Sequence, residues 1–375
     1  MLGHKRVPSR EGGVEVVVEN LSWRMVQAGC EVTCFNRRGH HVSGCAFDAP
    51  VLDEYRGVRL KRLFTINRKG LAALSSSLIG AIRTALGRYD VVHFHAEGPS
   101  AMLWLPKLFG KRCIATVHGL DWQRAKWGGF GSRYLKFGEW MAARHADELI
   151  VLTEGARRYF KRRYGRDARL IPNGVERPSP APAKLIRERF GLDKDGYVLF
   201  LGRIVPEKGL RYLVEAFRDL KTDKKLVIAG GQSDSCDFVE EIKALVKDDP
   251  RVIFTDFVQG ETLAELYSNA YIYVLPSDVE GQPLTLLEAM SYGNCCLVSD
   301  IEACTSVIDD AEAGTRRGVV FRQGDAQELR ARLQWLCDSP EAVAAHRQGV
   351  DAFVCRHYDW DVISDRTLRV YERGV

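Results

Sequence analysis

The sequence lacks several things that would have pointed to other kinds of protein. Nowhere does it hold the run of roughly 20 apolar residues that a bilayer-spanning helix needs; apolar stretches such as Val198 to Leu201 and Tyr271 to Leu275 fall far short of it. No Cys-x-x-Cys pair occurs among the ten cysteines, which argues against zinc ribbons and thioredoxin-type redox motifs. Cys30, Cys34 and Cys45 come nearest to a cluster and have no His pair at zinc spacing. Cys113, Cys295 and Cys296 stand in strand-like apolar runs, so buried free thiols and a reducing compartment are expected. Met1-Leu2-Gly3-His4-Lys5-Arg6 is not followed by the apolar segment of a secretory signal, and a cytoplasmic protein is expected. There is no internal repeat and no low-complexity segment.

A length of 375 residues exceeds what one core usually fills, about 250–300 residues, so two domains are expected. The charge is unevenly spread. Residues 1–172 carry 29 Lys+Arg against 15 Asp+Glu, a balance of +14, while residues 173–375 carry 25 against 34, a balance of −9. A basic half suits nucleic acid, an anionic membrane surface or a phosphate-bearing substrate, and also suits a merely solvated face.

Short β-branched or apolar runs alternate with helical patterns, the mark of βαβ units and parallel sheets. Strands are expected at Glu31–Asn36, Val58–Leu63, Val91–His95, Cys113–His118 and Leu149–Thr153, then at Tyr197–Leu201, Lys225–Ala229, Val252–Thr255, Tyr271–Leu275, Cys295–Ser299 and Val319–Phe321. Each half reads as a doubly wound α/β domain, 1–172 and 195–359. The proline-rich stretch 173–194 reads as a linker, and the helical pattern in 360–375 is expected to pack back on the first domain. Only Met1 and Leu2 precede the loop Gly3-His4-Lys5-Arg6, so the first strand of the first domain is nearly missing.

Two loops carry the chemistry. Strand Tyr197–Leu201 runs into Gly202-Arg203-Ile204-Val205-Pro206-Glu207-Lys208-Gly209, and strand Tyr271–Leu275 into Ser277-Asp278-Val279-Glu280-Gly281-Gln282-Pro283-Leu284-Thr285-Leu286-Leu287-Glu288. Both loops lie at carboxyl ends of strands, where open α/β sheets bind ligands. Two cations before a helix can neutralise a leaving diphosphate. Glu280 on the loop and Glu288 in the following helix suit the paired hydroxyls of a sugar or ribose better than a metal. Taken singly, each has a plainer reading as a surface cation or a helix-capping carboxylate.

In order and at this separation the two motifs resemble those of glycosyltransferase family 4, retaining enzymes of GT-B fold. Ile171-Pro172-Asn173-Gly174-Val175 and Ala289-Met290-Ser291-Tyr292-Gly293 agree with it. The resemblance implies two Rossmann-like domains facing across a cleft. It implies a nucleotide-sugar donor, a saccharide or lipid-linked acceptor, no metal and no other cofactor. Arg203 and Lys208 would bind the donor diphosphate, Glu280 the sugar hydroxyls and Glu288 the ribose. Gly202, Gly281, Gln282, Pro283, Leu284 and Thr285 would line the phosphates or sugar, and Gly231 and Val258 the base. From the first domain, Gly12 and Gly13 would let backbone approach the donor, and His118, in Thr116-Val117-His118-Gly119, would stand beside the donor sugar as a catalytic group.

Three other features have competing readings. His93 and His95 share a strand face and could line an acceptor cleft or form half a metal site. Asp359-Trp360-Asp361 mimics a metal-binding Asp-x-Asp but stands where a helix is capped. Arg157-Arg158-Tyr159-Phe160-Lys161-Arg162-Arg163-Tyr164 mixes cations and aromatics as RNA-binding surfaces do, or rests on anionic head groups at the inner membrane face. The rivals to sugar transfer are a sugar-nucleotide epimerase or hydrolase of the same fold, and a non-catalytic nucleic-acid binder; no nucleic-acid partner is expected.

Overall fold

The structure, a computed structural model, describes residues 1–41, 43–44, 47–48, 51–66, 68, 70–123, 128–231 and 236–372. It divides into two compact units. Unit 1 comprises Met1–Gly174 together with Trp360–Val375, and unit 2 comprises Val175–Asp359.

Unit 1 runs α1 (Gly13–Gln27), β1 (Thr33–Arg37), β2 (Glu54–Tyr55), β3 (Val58–Leu63), α2 (Leu71–Leu86), β4 (Val91–His95), α3 (Glu97–Ser100), α4 (Trp104–Leu108), β5 (Arg112–Val117), α5 (Gly129–His145), β6 (Glu148–Val151), α6 (Glu154–Tyr164) and β7 (Arg169–Leu170). Two sheets form, in the orders β1-β3-β2 and β4-β5-β6-β7. Met1 and Leu2 join them. Leu2 N–H donates to the His93 carbonyl (2.9 Å), His95 N–H to the Leu2 carbonyl (2.8 Å) and Phe35 N–H to the Met1 carbonyl (3.2 Å). The first strand is as short as the sequence suggests, yet it pairs on both edges. Gly80 of α2 lets that helix lie on Leu2 and Leu63, where an added Cβ would press on both side chains.

The loop that follows is pinned by Asn36 of β1. Its carboxamide accepts from Val7 N–H (3.1 Å) and donates to the Val7 carbonyl (2.9 Å), while Arg37 N–H donates to the Lys5 carbonyl (2.6 Å). Of the sequence's loose cysteine cluster, Cys30 and Cys34 are free thiols and Cys45 lies outside the described residues.

Unit 2 runs α7 (Leu185–Phe190), β8 (Tyr197–Leu201), α8 (Leu210–Arg218), β9 (Lys225–Ala229), α9 (Cys236–Leu245), β10 (Val252–Asp256), α10 (Gly260–Asn269), β11 (Ile272–Leu275), α11 (Leu284–Ser291), β12 (Cys296–Ser299), α12 (Glu302–Ile308), β13 (Asp309–Asp310), β14 (Thr315–Arg316), β15 (Val319–Phe321), α13 (Ala326–Asp338), α14 (Pro340–Arg347) and α15 (Val350–His357). Six of its strands form a parallel sheet in the order β10-β9-β8-β11-β12-β15. Helices cover both faces, which is why these strands read as unbroken apolar runs. Tyr197 and Leu199 pack into one core with Leu266, Leu286 and Phe353, while Val198 and Phe200 pack into the other with Leu213, Phe217 and Leu333.

The stretch 173–194 is not a free linker. From Val175 onward it is built into unit 2: Val175 N–H donates to the Tyr358 carbonyl (2.7 Å), Asn269 holds the Ala181 carbonyl (2.9 Å), and buried Glu265 accepts from the N–H groups of Lys184 (2.9 Å) and Ile186 (3.0 Å). The proline spacing suggested a linker because proline excludes helix, but it does not exclude docking.

The last helix, α16 (Trp360–Tyr371), belongs to unit 1. Asp361 accepts from Arg24 Nε (2.6 Å), Arg366 donates to the Leu170 carbonyl (2.6 Å), and the Tyr371 hydroxyl meets His93 Nδ1 (2.7 Å). The Asp359-Trp360-Asp361 sequence therefore serves packing: Trp360 is buried and Asp361 pairs with an arginine.

Candidate functional site

The strand order of unit 2 creates a switch point. From β8 the chain winds outward through β9 and β10 on one side, then returns to place β11, β12 and β15 on the other. The loops leaving β8 and β11 therefore lead to helices on opposite faces, α8 in one core and α11 in the other, and start side by side at the carboxyl edge of the sheet, the place where such sheets bind ligands. These loops carry Gly202-Arg203…Lys208 and Ser277…Glu288.

Backbone geometry brings the two loops together. Gly209 (φ +69°) presses so closely on the Pro276 carbonyl that an added Cβ would collide with it, and Gly230 (φ +157°) approaches the Gly202 carbonyl in the same way. Asp278 N–H donates to the Glu207 carbonyl (2.9 Å). Across this junction Lys208 Nζ donates to Glu280 Oε1 (2.5 Å), with side chains only 13% and 11% exposed. The same oxygen accepts from Ser277 Oγ (2.7 Å), and Ser277 is held through its carbonyl by Ser299 Oγ (2.6 Å). Arg203 follows Gly202 directly, half-buried at the end of β8.

Pro283 caps α11 from an extended conformation rather than opening it as its first residue. The first helical hydrogen bonds run from Leu286 and Leu287 to the Pro283 carbonyl (3.1 and 3.3 Å), so the N–H groups of Leu284 and Thr285 precede them at the positive end of the helix. Glu288 Oε2 accepts from the Tyr267 hydroxyl (3.0 Å), and Thr285 Oγ1 accepts from the buried Tyr273 hydroxyl (2.8 Å). Gly281 and Gln282 lie between Glu280 and this helix start, Gly231 follows β9, and Val258 follows β10 on the core edge. Sequence reasoning missed Ser277, Tyr267 and Tyr273. A serine three residues before Glu280 was a signal for the first; Tyr273 fell inside the apolar run Tyr271–Leu275.

Unit 1 groups its candidates differently. Gly12 is the extended N-cap of α1 and Gly13 its first residue; a Cβ on Gly12 would lie 2.7 Å from Glu15 Oε2. That helix start already faces carboxylates. Buried Glu15 accepts from Lys5 N–H (2.8 Å), and buried Glu11 pairs with Lys5 (2.5 Å) and Arg6 (3.6 Å).

His118, half-buried after β5, meets His95 Nδ1 through its Nε2 (3.0 Å). The expectation that His93 and His95 line an open cleft fails, since both are fully buried and their rings lie 4.1 Å apart. His93 bonds Thr116 Oγ1 (2.7 Å) and Tyr371. Burial holds both imidazoles well below the usual histidine range, so both are neutral. His95 seats His118, and His93 packs behind His95.

Behind them lies a carboxyl cluster that the sequence did not disclose. Glu139 accepts from Trp122 Nε1 (2.7 Å) and from the hydroxyls of Tyr159 (2.8 Å) and Tyr164 (2.5 Å). Glu97 is fully buried; one oxygen accepts from Asp121 N–H (3.1 Å), and among the described residues no donor faces the other. Burial and the neighbouring carboxyls disfavour a carboxylate there, and favour a carboxylic acid that donates to Glu139. Burial, with Asp121 and Glu139 close by, pushes the Glu97 carboxyl up to about 10.

A carboxyl raised in this way binds its proton more tightly in the folded chain than in the unfolded one. Stability therefore falls as pH climbs from the ordinary carboxyl range toward about 10. Glu97→Gln keeps the donor and cannot ionise, so between about pH 6 and about pH 9 its urea midpoint is expected to fall less than the parent's. Parallel curves would count against a protonated Glu97.

Residues 183–365 match the family model described as "Glycosyl transferases group 1", and residues 11–177 match the one described as "Glycosyltransferase Family 4". The phosphatidyl-myo-inositol mannosyltransferase of Mycolicibacterium smegmatis is 31% identical over 296 residues, spanning 77% of this chain and 72% of that protein. The chain belongs to glycosyltransferase family 4. A D-inositol 3-phosphate glycosyltransferase of Kineococcus radiotolerans is 28% identical to this family 4 glycosyltransferase over 407 residues, 97% of this chain and 91% of that protein. Anabaena HepE, solved in complex with UDP and glucose, superposes with TM-score 0.80 at 15% identity, over 98% of this chain and 97% of its own. That likeness shows the fold: this family 4 glycosyltransferase is a GT-B protein of two Rossmann-like domains.

Proposed function

We propose that this enzyme moves a glycosyl group from a nucleoside-diphosphate sugar to a hydroxyl acceptor, keeps the anomeric configuration, and needs no metal ion. The supporting observation is the meeting of Lys208 and Glu280 at the switch point of unit 2, with Arg203 and Glu288 on the same two loops. Without a donor, Lys208 and Glu280 satisfy each other. A diphosphate offers Lys208 a stronger acceptor, and sugar hydroxyls offer Glu280 new donors. Arg203 adds the second positive charge, the N–H groups of Leu284 and Thr285 receive phosphate oxygen, and Glu288 takes the ribose hydroxyls.

In the transfer, the bond between the anomeric carbon and the β-phosphate oxygen breaks as the acceptor oxygen attacks the same face. The acceptor's proton passes to the departing phosphate oxygen. Arg203 and Lys208 stabilise the charge that develops on the diphosphate, and His118 donates a hydrogen bond to the transferring sugar. HepE was solved with UDP and glucose, so UDP-glucose heads the donor candidates. The names of the inositol-glycosylating relatives favour a polyol or lipid-linked acceptor in glycoconjugate assembly.

A panel of UDP-, GDP- and dTDP-sugars scored for protection against thermal unfolding tests the donor site. A true donor at about 100 times its Kd adds ~2.7 kcal/mol, and a panel without any protection overturns the reading. Label appearing in an acceptor, rather than as free sugar or an epimer, separates transfer from hydrolysis and epimerisation. Chelation by EDTA is expected to leave the rate unchanged; a loss restored by a divalent cation would overturn metal independence.

A further inference from the structure

Sixteen large hydrophobic side chains are exposed among the described residues, and twelve of them fall between Phe64 and Trp140; unit 2 contributes only Leu245 and Trp335. Helix α2 is built inside out. It buries Ser76, Ser77, Gly80, Ala81, Thr84 and Ala85, and turns Leu71, Leu78, Ile82 and Leu86 to solvent at helical spacing. Helix α5 repeats the pattern with cations interleaved: Phe130, Arg133, Phe137, Trp140 and Arg144 fall on one exposed stripe, with Phe130 80% exposed. Between them, α4 exposes Trp104 and, one turn on, Leu108 at 75%.

These helices share one face of unit 1. The connections β3-α2-β4, β4-α3-α4-β5, β5-α5-β6 and β6-α6-β7 all advance in the same direction along the sheet, so right-handed crossovers put their helices on the same side. Direct packing of α2 on α3 and α4, of α3 on α5, and of α5 on α6 agrees.

The charge of this region has one sign. Residues 55–138 hold 15 Lys+Arg against three Asp+Glu, with no acidic residue between Glu54 and Asp90. One of the three, Glu97, is buried and neutral. Helix α6 borders the face with exposed Arg157, Arg158, Lys161, Arg162 and Arg163, while its aromatics turn inward, Phe160 into the core and the Tyr159 and Tyr164 hydroxyls onto Glu139. A self-paired dimer would set this positive face against its copy. Nucleic acid would use stacked aromatics but has no use for a leucine and isoleucine stripe. An exposed apolar stripe edged by cations and carrying tryptophans matches an anionic lipid surface.

We propose that the face formed by α2, α4 and α5 seats unit 1 on an anionic bilayer, with Leu78, Ile82, Trp104, Phe130, Phe137 and Trp140 entering the boundary between head groups and acyl chains. Arg83, Arg133 and Arg144 meet lipid phosphates. The seat contains none of the residues assigned to the donor, so it stands or falls independently of the transfer reading.

Vesicle flotation of the full chain tests it. With vesicles containing phosphatidylglycerol the protein is expected to float, with pure phosphatidylcholine to stay behind, and with rising salt to lose binding. Phe137→Ser/Trp140→Ser and Leu78→Ser/Ile82→Ser should each lower the bound fraction about tenfold or more, and Arg133→Glu/Arg144→Glu should remove the preference for anionic lipid. All the substituted side chains are exposed; an unchanged melting temperature and unchanged nucleotide protection in unit 2 confirm an intact fold. Equal recovery on both lipids, no flotation of the parent chain, or undiminished flotation of both apolar variants overturns the proposal. So does a stable dimer in solution that the same variants dissociate.

Discussion

Replacing Lys208 with alanine is expected to lower the rate of glycosyl transfer by about 10²–10³-fold, the usual loss when one group that stabilises developing oxyanion charge is removed. The effect should fall on kcat as well as KM, because the lysine is worth most when the diphosphate is leaving. The ion pair makes a second result informative. Glu280→Ala removes the partner of Lys208 and the acceptor of Ser277 Oγ, and should abolish transfer while Lys208 remains able to hold the nucleotide. Thermal protection by a nucleoside diphosphate lacking the sugar should therefore survive in Glu280→Ala and weaken in Lys208→Ala. Full transfer activity in either variant would sink the assignment.

The largest effect on stability is expected at Glu139. Replacement by leucine orphans Trp122 Nε1 and the hydroxyls of Tyr159 and Tyr164, and removes the acceptor of the Glu97 proton. An unsatisfied buried donor costs about 1–3 kcal/mol. Some relaxation toward solvent is available to the tyrosines, so a loss on the order of 3–5 kcal/mol is expected by denaturant unfolding of unit 1. Glu139→Gln keeps an acceptor oxygen and should lose distinctly less. Equal losses in the two variants would mean that the site is held by packing rather than by its hydrogen bonds.

The legible parts of the sequence were those where one residue's environment is set by its near neighbours. Strands buried on both faces, such as Tyr197–Leu201 and Lys225–Ala229, stand out as apolar runs at their full extent. The two chemical loops follow such strands directly, so their position at the carboxyl edge could be read without coordinates. What stayed hidden depends on distant partners. Nothing near His93 announces Tyr371, 278 residues away, and nothing near Glu97 announces Glu139. The motif 157–164 could be read as a surface for RNA or for lipid head groups because composition does not say which way a tyrosine points. Helix α2 escaped notice because an inverted helix has the same period as an ordinary one. The stretch 173–194 looked like a connector because its prolines suppress regular structure, while its hydrogen bonds to Glu265 and Asn269 lie more than 70 residues downstream.

The placement of α16 bears on how the chain assembles as it is made. Unit 2 is one continuous stretch and can close as soon as its own residues have left the ribosome. Unit 1 cannot, because the partners of His93, Arg24 and the Leu170 carbonyl arrive on a helix translated after the whole of unit 2. The half synthesised first is completed last, and in the interval its α16 seat is exposed in the nascent chain. By the same logic residues 175–359 should fold when produced alone, whereas residues 1–174 should need α16 supplied, either as a separate peptide or joined through a short bridge from Gly174 to Trp360, which already touch.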